Sequence, residues 1–322
     1  VGLFRADQKN VGGAKMALDS IQKKLLEQIS DLHEVPAGAY NIRANGASAE
    51  RNTTANIDIV TKKDRPGIDI IIKPGTVNES VHIPVLLSES GLTETVYNDF
   101  YIGDGADVVI VAGCGIHNDG TDSSEHSGIH TFYVGKNAKV KYVEKHYGEG
   151  DGNGENIMNP TTAVIMEEGS YMEMETLQIK GVDSTYRTTK ATLKDGAKLV
   201  IGEKIMTHGH QTATTDFSVD LDGADCGAHV VSRSVAKDDS HQLFISNING
   251  NSRCNGHTEC DAIVMDNGTV SAVPKVNANH TEASLIHEAA IGKIAGEQLM
   301  KLMTLGLTEA EAEEQIVNGF LR

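Results

Sequence analysis

Two short runs late in the chain carry side chains able to hold iron or sulfur. The first, Gly256-His257-Thr258-Glu259-Cys260-Asp261, sets a cysteine between two carboxylates just before a β-forming stretch. The second, Ile286-His287-Glu288-Ala289-Ala290, places an imidazole next to a carboxylate. Thiolate, imidazole and carboxylate are the groups that ligate iron, and thiolate also accepts sulfur as a persulfide. Residue type alone does not establish a site, because a lone cysteine is most often a small buried hydrophobe and a surface His-Glu pair is usually only solvated.

A second constellation lies earlier. Cys114-Gly-Ile-His117 is followed by Glu125-His126 and by His130, giving C-x-x-H and then H-x-x-x-H within 17 residues. That spacing suits zinc or iron, but the polar stretch 118–124 between its halves reads equally as a plain loop. His208 and His210 stand two apart, so on a strand they share a face, yet they have no evident third partner. The glycines of 148–154 do not form a phosphate loop: no G-x-x-x-x-G-K-[ST] occurs, so the chain is not expected to bind ATP itself.

Three zones must position these groups. In the first, Ala17, Ile21, Leu25, Ile29 and Leu32 recur at helical spacing among lysine, glutamate and glutamine, which predicts an amphipathic helix of about five turns. It ends near His33, before Pro36. From residue 41 to 276 the period changes to short β-rich runs punctuated by glycine and asparagine turns. Several turns share one form, as in Leu193-Lys194-Asp195-Gly196-Ala197 and Leu221-Asp222-Gly223-Ala224. Gly169, Gly196 and Gly223 stand 27 residues apart, and Gly268 follows after 45. One turn form per period of about 20–30 residues indicates a β-solenoid; a β-sandwich, also rich in short strands, is the alternative. From about Thr281 the pattern reads as helical again. Leu299, Leu302 and Met303 share a face, Gly306 stops the first helix, and Thr308 with Glu311 forms a capping box that starts the last, through Ala312, Ile316 and Phe320. This pair is expected to cap one end of the solenoid, dock a partner, or both. The expected organisation is therefore an N-terminal helical segment (1–40), a β core (41–276) and a C-terminal helical segment (277–322).

Composition excludes several functions. Hydrophobic residues make up 39% of the 322 residues and charged residues 23%, while a net charge of −17 repels phosphate backbones and argues against a nucleic-acid partner. No apolar run reaches 18 residues, so no membrane-spanning helix is expected. The first ten residues lack the layout of a signal peptide, and four cysteines are too few for a disulfide scaffold, so the expected compartment is the cytoplasm.

The run His257-Thr258-Glu259-Cys260-Asp261-Ala262, then Pro274, His287-Glu288-Ala289-Ala290-Ile291-Gly292-Lys293-Ile294, Glu297-Gln298-Leu299, Gly306-Leu307 and Gly319-Phe320-Leu321 resembles the C-terminal signature of the SufB/SufD family over about 65 residues. Ser232-Arg233-Ser234-Val235-Ala236 fits the family's β core, whereas the first hundred residues match only in general character. The resemblance implies a right-handed parallel β-helix with flanking helices, acting as a non-enzymatic scaffold in SUF-type iron–sulfur cluster assembly. It also implies a SufC-like ABC ATPase bound through the C-terminal helices, a sulfur donor, and a transient Fe–S cluster held between two β-helix subunits, either a homodimer or a pair with a paralogue. By the same resemblance, Cys260 and Glu288 stand where SufB has its cluster-site cysteine and glutamate, and His287 where SufD has its histidine. Cys260 and Glu288 of one chain are then expected to approach His287 of the other. The chain is shorter than the usual SufB and lacks its N-terminal cysteine motif; neither Cys254 nor Cys226 acquires a role.

The rival from another class is a β-solenoid carbohydrate-active enzyme. Such enzymes present aromatic platforms and paired acids in a groove, and 4% aromatics without tryptophan argues against one.

Overall fold

The computed structural model describes residues 18–30 and 38–321. Its strands alternate buried and outward residues with period two. In Thr212–Leu221, for example, Ala213, Thr215, Phe217, Val219 and Leu221 point inward while the residues between them face out. Consecutive strands of the core fall in opposite sheets, and each sheet grows by parallel addition of every second strand or so, giving two ten-stranded sheets. This is a parallel β-solenoid of about eight turns, and it removes the β-sandwich alternative.

In-register pairing stacks like on like along the interior. Phe100 lies on Phe132 with ring centroids 4.3 Å apart, whereas Phe217 and Phe244 are offset by two residues and meet tilted at 5.9 Å. One corner of the coil repeats a left-handed residue: Gly105, Asn137, Gly169, Gly196 and Asp225 have φ of 65°, 55°, 67°, 66° and 58°. Glycine, asparagine and aspartate tolerate that conformation best. The turn is therefore periodic, but Gly223 is not its third member. Gly223 is needed because a Cβ there would lie 2.0 Å from the Asp195 backbone nitrogen, and Gly268 belongs to a turn at the opposite corner, after the strand Asn255–Val264.

The two ends differ. At the N-terminal end the sheets begin with antiparallel hairpins, Ala39–Ala44 with Ala47–Asn52 and Ile57–Thr61 with Gly67–Ile72. Helix α1 (Ser20–Ser30) lies over the outer face and buries Leu25, Leu26 and Ile29 against Tyr40, Ile42 and Leu86. Gly113 and Gly115 leave room for it, since a Cβ on either would come within 3.0 Å of Ile29 or Leu25. Residues 17 and 32–36 of the expected helix lie outside the described residues.

At the other end the segment expected to turn helical from residue 277 is instead β. Thr269–Ala278 continues to the edge of one sheet and Ser284–Gly292 forms the edge of the other. Glu288, Ala289 and Ala290 favour helix locally, but a parallel ladder with Asn255–Val264, from Asn255↔Ser284 to Ile263↔Gly292, overrides that propensity. The helices begin only at Gly296: α2 (Gly296–Thr304) and α3 (Glu309–Phe320), the latter with the expected Thr308/Glu311 capping box. The hairpin packs sideways through Val317 and Leu321 onto Val235, with Met206, Ile263 and Met265 alongside. Val276 and Ile291, on the inward phase of the last coil, remain 42% exposed each. The pair therefore does not cap the solenoid. No helix among the described residues is long and apolar enough to cross a membrane.

Candidate functional site

Strand alternation decides which groups near the open end meet. In Asn255–Val264, Gly256, Thr258, Cys260 and Ala262 point inward and His257, Glu259 and Asp261 outward. The last strand repeats this phase, because Thr258 pairs with His287, Glu259 with Glu288 and Cys260 with Ala289. His287 accordingly shares the inner face with Cys260, and a 2.7 Å hydrogen bond joins its Nδ1 to Thr258 Oγ1. Glu288 faces outward, where an Oε2 lies 3.3 Å from His257 Nε2. Cys260 and Glu288 of one chain are thus on opposite faces of the sheet, which corrects the expectation that they act together. Cys260 and His287 stand two residues apart on adjacent strands, roughly 8 Å between Cα atoms for ideal parallel geometry.

Cys260 is 1% exposed, and burial, with Glu203 and Asp261 nearby, pushes its thiol up to about 12. It closes an inward column that runs, strand by strand, through Glu144, Thr176, Glu203, Ser232 and Cys260 to Ala289. One strand beyond Cys260 the column ends. Outside, a hydrogen bond to Asp261, with burial second, raises the Glu259 carboxyl above its ordinary value. His287 is lowered, mainly by burial and then by His257.

The earlier constellation divides. Cys114, His126 and His130 line one small internal cavity with Glu144 and His146. His117 faces away and is held by Asp119 at 2.9 Å and Glu149 at 3.3 Å. Inside, His130 bonds Tyr142 Oη at 2.9 Å and Asn98 at 3.3 Å, while His126 Nδ1 lies 3.7 Å from Glu94, beyond hydrogen-bond reach. Among the described residues, the one group of three ligand atoms within 4.8 Å of each other is His257, Glu259 and Glu288. The expected set of Cys114, His117, His126 and His130 therefore does not converge. All four cysteines are buried and free, and Cys226 is pushed up to about 11 by burial beside Cys254. His208 lies in the turn around Gly209, where its backbone nitrogen donates to Gln211.

Sequence reasoning overlooked a charged cluster inside the solenoid. Arg187 bonds the Glu144 carboxylate and lies 3.6 Å from Glu203 and 3.3 Å from His146. Tyr142 donates to Glu144, and Thr215 and Ser232 donate to Glu203 at 3.0 and 2.8 Å. The signal lay in Val140, Tyr142, Glu144 and His146, which alternate on one strand and so share one face.

Comparison with known proteins places the chain in a family. A family model described as the SufBD core domain of SUF-system FeS cluster assembly matches residues 91–320. An iron–sulfur cluster assembly SufBD family protein of Methanothermobacter thermautotrophicus is 30% identical over 245 residues, covering 74% of this chain and 57% of that protein. One from Archaeoglobus fulgidus is 29% identical over 71% of this chain and 60% of its own length. A Pyrococcus horikoshii member is 26% identical over 92% of this chain and 84% of its own. The chain thus spans less than two thirds of the first two relatives. These matches do not favour the carbohydrate-active alternative, and the chain belongs to the SufBD family of the SUF iron–sulfur cluster assembly system.

Proposed function

We propose that the chain is a non-enzymatic scaffold subunit on which a nascent iron–sulfur cluster is built at a joint between two solenoids. The observation that carries this reading is the place of Cys260, one strand from an uncapped end, with His287 on the same face of the last strand. Unpaired strand edges recruit another chain. Val276 and Ile291, in register with the buried Ile248 and Ala262, give that end an exposed apolar surface. A second copy or a paralogous β-helix subunit docks there, so that equivalent groups gather about the joint. Cys260 supplies the principal ligand and sulfur-acceptor thiolate once iron displaces its proton. His287 beside it, and Glu288 contributed from across the joint, are weaker and more exchangeable ligands, suited to a cluster that must be handed on.

The same reading assigns the C-terminal hairpin to a SufC-like ABC ATPase. Helix α2 buries none of its residues and exposes Met300 and Met303, with Leu305 following, while α3 anchors beside the strand that carries Val235, next to that of Cys260. ATP-driven movement of the partner is thereby coupled to the open end. A sulfur donor and a reducing, cytoplasmic setting complete the proposal.

Replacing Val276 and Ile291 together by Asp tests it. The folded variant is expected to be monomeric by light scattering and to lose anaerobic cluster reconstitution. Full cluster yield from the monomer, or dimers that survive, overturns the joint.

A further inference from the structure

The outer face of the last two strands of the Ser284–Gly292 sheet carries a group that the proposed cluster site does not use in the same way. His257, Glu259 and Glu288 each bring a ligand atom to within 4.8 Å of the other two. His257 and Glu259 alternate on one strand, and Glu288 pairs with Glu259 across the ladder, so the backbone itself assembles the trio. The His257 ring is fixed in orientation, because it stacks on His229 with centroids 4.9 Å apart and planes 7° from parallel. Its Nε2 is buried and has no hydrogen-bond partner, although Glu288 Oε2 stands 3.3 Å away, out of line for one. A buried ring nitrogen left unpaired at the side of two carboxylates calls for a ligand.

We infer that His257, Glu259 and Glu288 form a docking site for one divalent first-row transition-metal ion on the outside of the sheet, separate from the inner face that bears Cys260. One imidazole and two carboxylates suit Fe²⁺, Mn²⁺ and Zn²⁺, and three protein ligands leave positions for water. Arg233, in register with Asp261 on the neighbouring strand, is the nearby cation; with Asp261 added to the trio, three carboxylates outweigh it. The site is on the surface, so an ion reaches it without opening the solenoid. It deepens the scaffold reading by giving iron a landing place on the face opposite the thiol, and it rests on that reading only for the identity of the ion.

Anaerobic titration of the full chain with Co²⁺, followed by its visible ligand-field absorption and by calorimetry, tests the assignment. One ion per chain is expected. His257→Ala and Glu259→Gln should each weaken binding about tenfold or more, whereas His229→Ala, which removes only the stacking partner, should weaken it less. Cys260→Ser should bind Co²⁺ as the unmodified chain does even where it fails to build a cluster, which separates failure of this site from failure of the scaffold reading. Unchanged affinity in folded His257→Ala and Glu259→Gln, absence of a stoichiometric site, or loss of Co²⁺ in Cys260→Ser overturns the inference.

Discussion

The middle of the solenoid and its open end both place polar groups inside a β coil, but they satisfy them differently. In the middle, Arg187 is surrounded by Glu144, Glu203 and His146, and the acids take further bonds from Tyr142, Thr215 and Ser232. Coils above and below seal this network. At the end, Cys260 has only Ala289 beyond it, and His287 has one hydrogen bond, to Thr258. The same column of inward positions thus serves cohesion where neighbours close it and leaves ligands near solvent where the coils stop. A charge network of the first kind is costly to break from within, whereas groups of the second kind can change without cost to the fold.

Arg187→Met gives the largest expected effect. It strands two buried carboxylates and should cost about 3–5 kcal/mol of stability in denaturant melts, while replacing Arg187, Glu144 and Glu203 together by apolar residues of similar volume should recover most of that loss. A small loss in the single variant would mean that the middle is as open as the end.

Acid should distinguish the two regions next. His130 faces Asn98, Tyr142, His126, Glu144, His146 and Arg187, and its pKa falls from 6.5 to about 4, with burial the main cause. Above pH 6.5 neither folded nor unfolded chains carry its proton, so its contribution is complete. Between 6.5 and 4 the unfolded chain binds a proton that the folded chain refuses, and stability falls by an amount on the order of 3 kcal/mol. His146 is also lowered by burial and acts in the same direction. His130→Gln should flatten the stability–pH curve in this window, and an unchanged slope would place the acid-sensitive groups elsewhere. The smallest effect belongs to the end: Ile291→Asp alone should alter monomer stability by within about 0.5 kcal/mol, because its inward-phase side chain is 42% exposed. A larger loss by thermal melting would show that the last coil is part of the core.

Much of the architecture was legible because it follows from local chemistry. The Thr308/Glu311 cap, the β period and the turn residues at Gly169 and Gly196 are each written in a few adjacent positions. The last strand was not, since Glu288-Ala289-Ala290 favours helix and only the ladder with residues 255–263 holds it extended. The inward phase of Cys260 was available from the polar alternation of His257, Glu259 and Asp261. The meeting of His257 with Glu288, and of Arg187 with Glu144, was not, because successive members of the left-handed corner from Gly105 to Asp225 are 27 to 32 residues apart and a slip of one residue sends a side chain to the other face.

The most direct test sets two buried cysteines against each other, Cys114 in the body of the solenoid and Cys260 near its end. Both are serine-sized sites with thiols raised by burial, so the substitutions perturb alike. Anaerobic reconstitution with iron and sulfide, read by the iron–sulfur absorption bands, should fail in Cys260→Ser and proceed in Cys114→Ser, with the dimer intact in both. Normal cluster yield from Cys260→Ser, or loss in Cys114→Ser alone, would contradict cluster assembly at the open end.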